Sequence, residues 1–468
     1  MALAERIVPT QALLLSRLRS CKTHDSLHTR PVWPVDARTD PPQTGSTGSL
    51  ACPTRIAGAQ VTTLMNNRRL ATRGNWAWCA WIGRVCSRLP SPLLCACDNA
   101  AFPDVPFAAF SMNIAVFLPN WIGDAVMATP VLRALRRRYP PPVRLVGIMR
   151  PYMADLLGGT DWLDEQWYFD PRSRDPRLKA STLARRMRLE RFDMAILLPN
   201  SLRSALVAWW GGAVERVGYV RDFRGPLLTH KVYPPRSAGR RPDEPMVDYY
   251  LRIAEAVGCG PESRRLELAT TLRDEASADR VWERLGLRKG DRVVLLNTGS
   301  SNGQTRCWPA PYFARLARWL VTRRDQDVLV ICGPRERSTA RWIAEQSRSK
   351  RVFSMADEAL DLGTAKACIR RARMMISTDS GPRHVAAAFG KPVVTLYGPT
   401  IPVWSANPTV QSIDLYAPLE CLGCCREYCP RRHQRCMRDL SVERVHAAVE
   451  ELLETEWPAA AEGAVRSA

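Results

Sequence analysis

The feature that most constrains this chain is an alternation of unbroken apolar runs with amphipathic segments. It begins at "NIAVFLPNWIGDAVMATPVLRALRRRYP", residues 113–140, which reads as a buried strand, a glycine turn and a helix. The runs "IAVFLP", "VRLVGIM", "FDMAILLP" and "RVGYV" alternate with "AVMATPVLRALRRRY" and "LRSALVAWWGG". Strands that are apolar throughout are covered on both faces, so strand–helix alternation predicts a parallel sheet flanked by helices. The passage "HKVYPPRSAGRRPDEP" and a helix around "MVDYYLRIAEAVG" close this series near residue 270.

A second series follows the charged helix "RDEASADRVWERLGL", with strands "RVVLLNTG", "DVLVICGP", "MMISTD" and "PVVTLYGP" separated by helices. The expected organisation is an α/β protein with one domain over 112–270, a second over 271–415, and a Cys-rich loop with a closing helix over 416–468. In that helix Val442, Val445, Val449 and Leu452 share one face, predicting that it packs across the two domains.

Residues 1–111 differ in texture: frequent arginine with lysine nearly absent, recurrent proline, and no sustained helical or strand period. They are expected to be a disordered extension, including translation from a start codon upstream of Met112; a membrane-associating or regulatory segment is the alternative. The 15 cysteines do not read as a disulfide framework, because six precede Met112, four are scattered, and five cluster between Cys421 and Cys436. Scattered cysteines in a long chain behave as small buried apolar residues, which points to a reducing compartment. A net charge of +21 implies acidic partners, which include nucleic acid, anionic membrane or phosphorylated substrates. The cations are dispersed and no nucleic-acid-binding module is recognisable, so nucleic acid is the disfavoured partner.

In parallel sheets ligands bind beyond the carboxyl ends of strands, so the turns there carry the chemistry. In "STDSGPRHVAAAFGKPVVTLYGPT" a strand runs into Asp379, Ser380 and Gly381, with Pro382 at the first helical position. Exposed N–H groups at that helix start suit a phosphate or diphosphate. Ser380 suits capping and a phosphate oxygen, Asp379 suits sugar hydroxyls, and both are equally read as plain helix caps. His384, in the first turn, is either a structural hydrogen bonder or a group facing the same ligand. "TGSSNGQTRCWP" offers Thr298, Ser300, Ser301 and Thr305 with the cation Arg306, which is either solvated or placed for a departing diphosphate. Glu336 in "CGPRE" suits ribose or heptose hydroxyls, or simply a helix N-terminus. The spacing "CLGCCREYCPRRHQRC" invites a zinc or iron–sulfur reading, with His433 beside it.

These turns, together with "FLPNWIGDAVMATPVLRALRRRYP", resemble the ADP-heptose:lipopolysaccharide heptosyltransferases, glycosyltransferase family 9. The stretches "LLPNSLRSALVAWW", "RVGYVRDFRGPLLT" and "DYYLRIAEAVG" are similar to the heptosyltransferase II branch. The resemblance covers about 112–455 and implies a GT-B fold, two Rossmann-like domains facing a cleft. It implies Asp124 as catalytic base, and Thr298, Ser300, Arg306, Glu336, Asp379, Ser380, Gly381 and His384 as the ADP-heptose side. Asn120, Arg203 and Arg224, with Arg221 nearby, would face the acceptor, a lipid A-linked core oligosaccharide bearing Kdo carboxylates and phosphates. Arg306 departs from the family, which usually has lysine in a K-x-W-P pattern; here it reads "RCWP".

The implied reaction is an inverting heptose transfer to a heptosyl-Kdo2-lipid A-like acceptor. No Asp-x-Asp pair offers a divalent-metal platform, so no cofactor is expected. The implied location is cytoplasmic, peripheral to the inner membrane, with Arg136, Arg137 and Arg138 available to an anionic leaflet or simply solvated. The alternatives are a family 9 enzyme with another sugar or acceptor, and a non-catalytic nucleotide-sugar or nucleic-acid binder.

Overall fold

A computed structural model describes residues 112–235, 243–288, 292–300, 303–407, 409–454 and 465–466. The expectations for residues 1–111, and for Ser301 as a donor, lie outside the described residues.

Six strands form the first sheet: β1 Asn113–Phe117, β2 Arg144–Met149, β3 Glu165–Tyr168, β4 Met194–Leu197, β5 Glu215–Tyr219 and β6 His230–Val232. Their spatial order is β3-β2-β1-β4-β5-β6, and every pairing is parallel. A short β7, Thr270–Thr271, pairs with β14, Val465–Arg466. The second sheet holds β8 Val293–Asn297, β9 Asp327–Ile331, β10 Val352–Ser354, β11 Met374–Thr378, β12 Val393–Tyr397 and β13 Ser412–Tyr416. Its order, β10-β9-β8-β11-β12-β13, repeats that of the first, again all parallel.

This is the doubly wound order, in which the chain leaves the central strand pair in opposite directions and opens a crevice there. The switch points fall between β1 and β4 and between β8 and β11. The turns after β1, β8 and β11 are therefore the ones placed to hold ligand, and they carry Asp124, Thr298 and Ser380.

The apolar runs form strands because they are covered on both faces: β4, β8, β9, β11 and β12 are buried throughout. One hydrophobic cluster extends through both halves, from Ile114 and Val116 to Leu295 and Leu329. A second cluster covers the far face of the second sheet, and a third that of the first. Buried Lys366 ties the halves together: its Nζ donates to the carbonyls of Asp155 and Gly158 at 2.8 and 2.9 Å and pairs with Asp274 at 3.2 Å.

Two expectations are corrected. The helix Val442–Glu454 does bury Val442, Val445, Val449 and Leu452. Its apolar side joins the cluster of the second sheet, however, and does not bridge the halves. The cations Arg136 and Arg137 are not a free membrane-facing pair: Arg136 binds the Trp162 carbonyl and Asp164, and Arg137 binds Glu262. Among the described residues no helix is long and apolar enough to cross a membrane.

Candidate active site

Two helices start face to face, Ile122–Met127 after β1 and Gly381–Ala388 after β11. Glycine is what allows the approach. A Cβ on Gly381 would sit 2.9 Å from the Ile122 Cβ, and one on Gly123 would sit 2.9 Å from the His384 ring. Neither position tolerates a side chain without moving the opposing helix. Asp124 thus stands beside the second half's ligand turn, within electrostatic reach of both Asp379 and Arg306.

Asp124 is half-buried, and Tyr250 from the helix Met246–Ala256 donates its hydroxyl to the Oδ1 at 3.0 Å. Burial pushes the Asp124 carboxyl above the usual carboxylate range; the Tyr250 hydroxyl opposes this, Asp379 adds to it, and Arg306 opposes it. Such a carboxylate is a stronger proton acceptor than a solvated one. Tyr250 sits in an aromatic stack: Tyr249 beside it lies 3.9 Å from Tyr219, centroid to centroid, and its hydroxyl accepts from Asn200 at 2.8 Å.

The turn after β11 is organised by pairing that its sequence does not disclose. Asp379 is buried and accepts from Thr400 at 2.7 Å and Ser405 at 3.2 Å, with Arg383 at 3.4 Å and Arg306 at 3.6 Å. Burial alone would raise its pKa, but Arg383, Thr400, His384 and Arg306 together hold it below the usual range. Its oxygens are therefore committed inside the protein, which corrects the expectation that they face sugar hydroxyls. Ser380 is corrected too: it makes no side-chain cap. Its hydroxyl accepts from Asn297 at 2.7 Å and donates to the Thr378 carbonyl at 3.3 Å. What remains for a ligand is the helix start itself, with uncapped N–H groups from Gly381 onward.

His384 is buried, its Nδ1 has no hydrogen-bond partner, and its pKa is pushed down to about 3 by burial and by Arg383, against the pull of Asp379. It is a neutral imidazole packed on Gly123. Thr298 is buried with its Oγ1 unpartnered, and the Ser300 amide faces the Cys307 thiol. Glu336 accepts from the Gly333 amide at 2.7 Å through Oε2 and lies over Gly299, where a Cβ would fall 2.7 Å from its carboxyl carbon. Glu336 is half-buried and stands at the carboxyl ends of β8 and β9.

On the first half, Asn120 is exposed and anchored by Arg150 Nε at 3.2 Å. Arg203 is exposed in the first turn of the helix Leu202–Trp210 after β4, the neighbour of β1. Arg224 is corrected. It is fully buried, its Nε donates to the Tyr219 carbonyl at 2.8 Å, one Nη to Asn200 at 3.1 Å and the other to the Pro199 carbonyl. Burial pulls its pKa down to about 10, and it holds Asn200 under Tyr249 instead of meeting an acceptor anion. Sequence reasoning missed Tyr250, Asn297, Arg383, Thr400 and Ser405. Asn297 alone left a signal, as a polar residue ending an otherwise apolar strand.

Residues 180–434 match the model of glycosyltransferase family 9 (heptosyltransferase). The chain belongs to glycosyltransferase family 9 and is a glycosyltransferase with the GT-B fold. Among its relatives, it is 26% identical over 309 residues to lipopolysaccharide heptosyltransferase 2 of Escherichia coli K12, covering 62% of this chain and 84% of that protein. It is 23% identical over 349 residues to lipooligosaccharide heptosyltransferase 2 of Campylobacter jejuni, covering 73% and 99%. The fold matches a solved family 9 glycosyltransferase from Veillonella parvula with a TM-score of 0.63 at 23% identity, covering 74% of this chain and 98% of that one. It also matches E. coli ADP-heptose lps heptosyltransferase II with a TM-score of 0.58 at 22% identity, covering 73% and 98%.

Proposed function

We propose that this enzyme transfers L-glycero-D-manno-heptose from ADP-heptose to the heptosyl-Kdo2-lipid A inner core of lipopolysaccharide, with inversion at the anomeric carbon. The relatives named heptosyltransferase 2 support the sugar and acceptor class. The observation that carries the chemistry is the meeting of the two helix starts, which sets Asp124 of the first half beside Arg306 and the Gly381 helix of the second.

In this reading residues 112–270 hold the acceptor and 271–415 the donor. The diphosphate lies on the amides at Gly381, with Arg306 beside it; Thr298 and Ser300 line the pocket and Glu336 accepts from the ribose. Asp124 takes the proton of the acceptor hydroxyl as its oxygen bonds to the anomeric carbon. The bond from that carbon to the diphosphate oxygen breaks on the opposite face, and ADP leaves with the electron pair. Arg306 and the helix start stabilise the charge growing there, which in a low-dielectric cleft is where electrostatic stabilisation counts most. Arg203 and Asn120 flank the acceptor, where an arginine fork suits carboxylates and phosphates. The work is done at the cytoplasmic face of the inner membrane.

The test is a mass-spectrometric transfer assay with ADP-heptose and a series of truncated lipid A acceptors. Heptose addition to the acceptor that already carries one heptose, and not to Kdo2-lipid A, is the expected result. Addition of another sugar, or transfer to an acceptor lacking heptose, would move the enzyme to another place in the family.

A further inference from the structure

The glycosyl-transfer reading leaves the cysteine loop at 421–436 unused. Four of its cysteines, Cys421, Cys424, Cys429 and Cys436, line one small cavity together with His433 and Thr305. All four are free thiols, and Cys436 is buried. The loop turns sharply on both sides of the cavity, with left-handed backbone at Gly423 (φ 81°), Arg432 (φ 54°) and Gln434 (φ 48°). The second of these turns aims the amides of Gln434, Arg431, His433 and Arg432 at the Cys429 sulfur.

The loop is also fastened to the donor turn. Thr305 donates to the Arg426 carbonyl at 2.6 Å, Cys425 N–H to the Pro399 carbonyl at 2.9 Å, and a Cβ on Gly303 would meet the Glu427 carbonyl at 2.8 Å. Thr305 immediately precedes Arg306, so whatever fixes this loop fixes the cation beside Asp379.

We propose that Cys421, Cys424, Cys429 and Cys436 ligate one tetrahedral divalent cation of the zinc or iron class, as a structural site that holds the Arg306 turn in place. Among the described residues no three such side chains stand gathered tightly enough to hold an ion as they are. The four cysteines line one cavity, and ligation would draw their sulfurs in to about 2.3 Å of a common centre. Four thiolates and a divalent cation carry a net charge of about −2, and the loop supplies the offset in Arg426, Arg431, Arg432, Arg435 and Arg438. Binding releases the thiol protons to solvent. Only the kinetic consequence below rests on the heptosyl-transfer reading.

The test is elemental analysis of the full chain purified under reducing conditions without chelator, followed by reconstitution with Co2+. The expected result is on the order of one zinc or iron per chain and, with Co2+, the visible spectrum of a tetrahedral thiolate site. Cys429→Ser and the pair Cys421→Ser with Cys424→Ser lose both signals, whereas Cys425→Ser and His433→Ala keep them. Should the cysteine variants fail to fold, the wild-type Co2+ spectrum still decides. Protein that takes up no metal under reducing conditions, or that is isolated with these cysteines in disulfides, overturns the site. Metal removal should raise the KM for ADP-heptose several-fold and leave the fold intact. A bound metal whose removal leaves that KM unchanged would overturn the positioning role, and failure of the heptosyl-transfer reading would leave the metal analysis untouched.

Discussion

Tyr250→Phe isolates the hydroxyl that holds the proposed base. The variant removes the hydrogen bond from Tyr250 to Asp124 Oδ1 at 3.0 Å and keeps the buried ring in place. A hydrogen bond to a charged group contributes about 1.5–3 kcal/mol. At about 1.4 kcal/mol per pK unit, its loss raises the Asp124 pKa by about 1–2 units. The direction follows from the site: burial already holds this carboxyl high, and Tyr250 is the largest influence pulling it down. A base works deprotonated, so the acid limb of kcat/KM moves to higher pH by that amount. Well below the limb the variant is about 10–100-fold slower, and on the alkaline plateau it approaches wild type. The assay is the pH profile of kcat/KM for transfer, with the KM for ADP-heptose measured in parallel and expected to hold. An equal loss at every pH, with the limb unmoved, would refute this reasoning and leave Tyr250 a packing residue.

Further outcomes follow from the same geometry. Arg224→Met takes away the donor that serves the Tyr219 and Pro199 carbonyls and the Asn200 Oδ1, which costs about 3 kcal/mol or more in urea unfolding; a fold of unchanged stability with a raised acceptor KM would restore Arg224 to the acceptor site. Gly123→Ala drives a methyl against the His384 ring and displaces the helix starts, so kcat should fall about 100-fold while circular dichroism is retained. Full activity there would mean that the two halves do not need this contact. His384, with its pKa near 3, is neutral throughout the working range; His384→Gln should keep the limbs of the pH profile in place, and loss of a limb near neutrality would make it an acid–base group.

Four strands of each sheet were legible because they are apolar runs ending in a glycine or polar turn, whereas the outer strands β3, β6, β10 and β13 are short or partly exposed and left no such run. Parallel pairing followed from strand–helix alternation, while the strand order came only with the structure; the placing of Asp124 opposite the Gly381 turn was implied by the family resemblance. What could not be read were partners distant in sequence. Arg224 lies in a polar loop in sequence, yet its guanidinium is enclosed by carbonyls from β5 and the turn after β4. Asp379 and Ser380 carry the residue types of a ligand turn, but Arg383, Thr400, Ser405 and Asn297 consume them. Tyr250 sits among other buried residues of one helix, and no periodicity distinguishes the ring that reaches Asp124 from the one that stacks on Tyr219.

The central claim is that Asp124 is the base, and Asp124→Asn tests it most directly when transfer and ADP binding are measured on the same preparation. Burial raises the Asp124 pKa, so its charged form opposes folding above that pKa; the asparagine variant should therefore be at least as stable as wild type at neutral pH. The account predicts loss of heptose transfer by about a thousand-fold or more, with ADP affinity by calorimetry within about two-fold, since the proposed ADP contacts lie on the other half of the cleft. Transfer at the wild-type rate by a stable Asp124→Asn protein would contradict it.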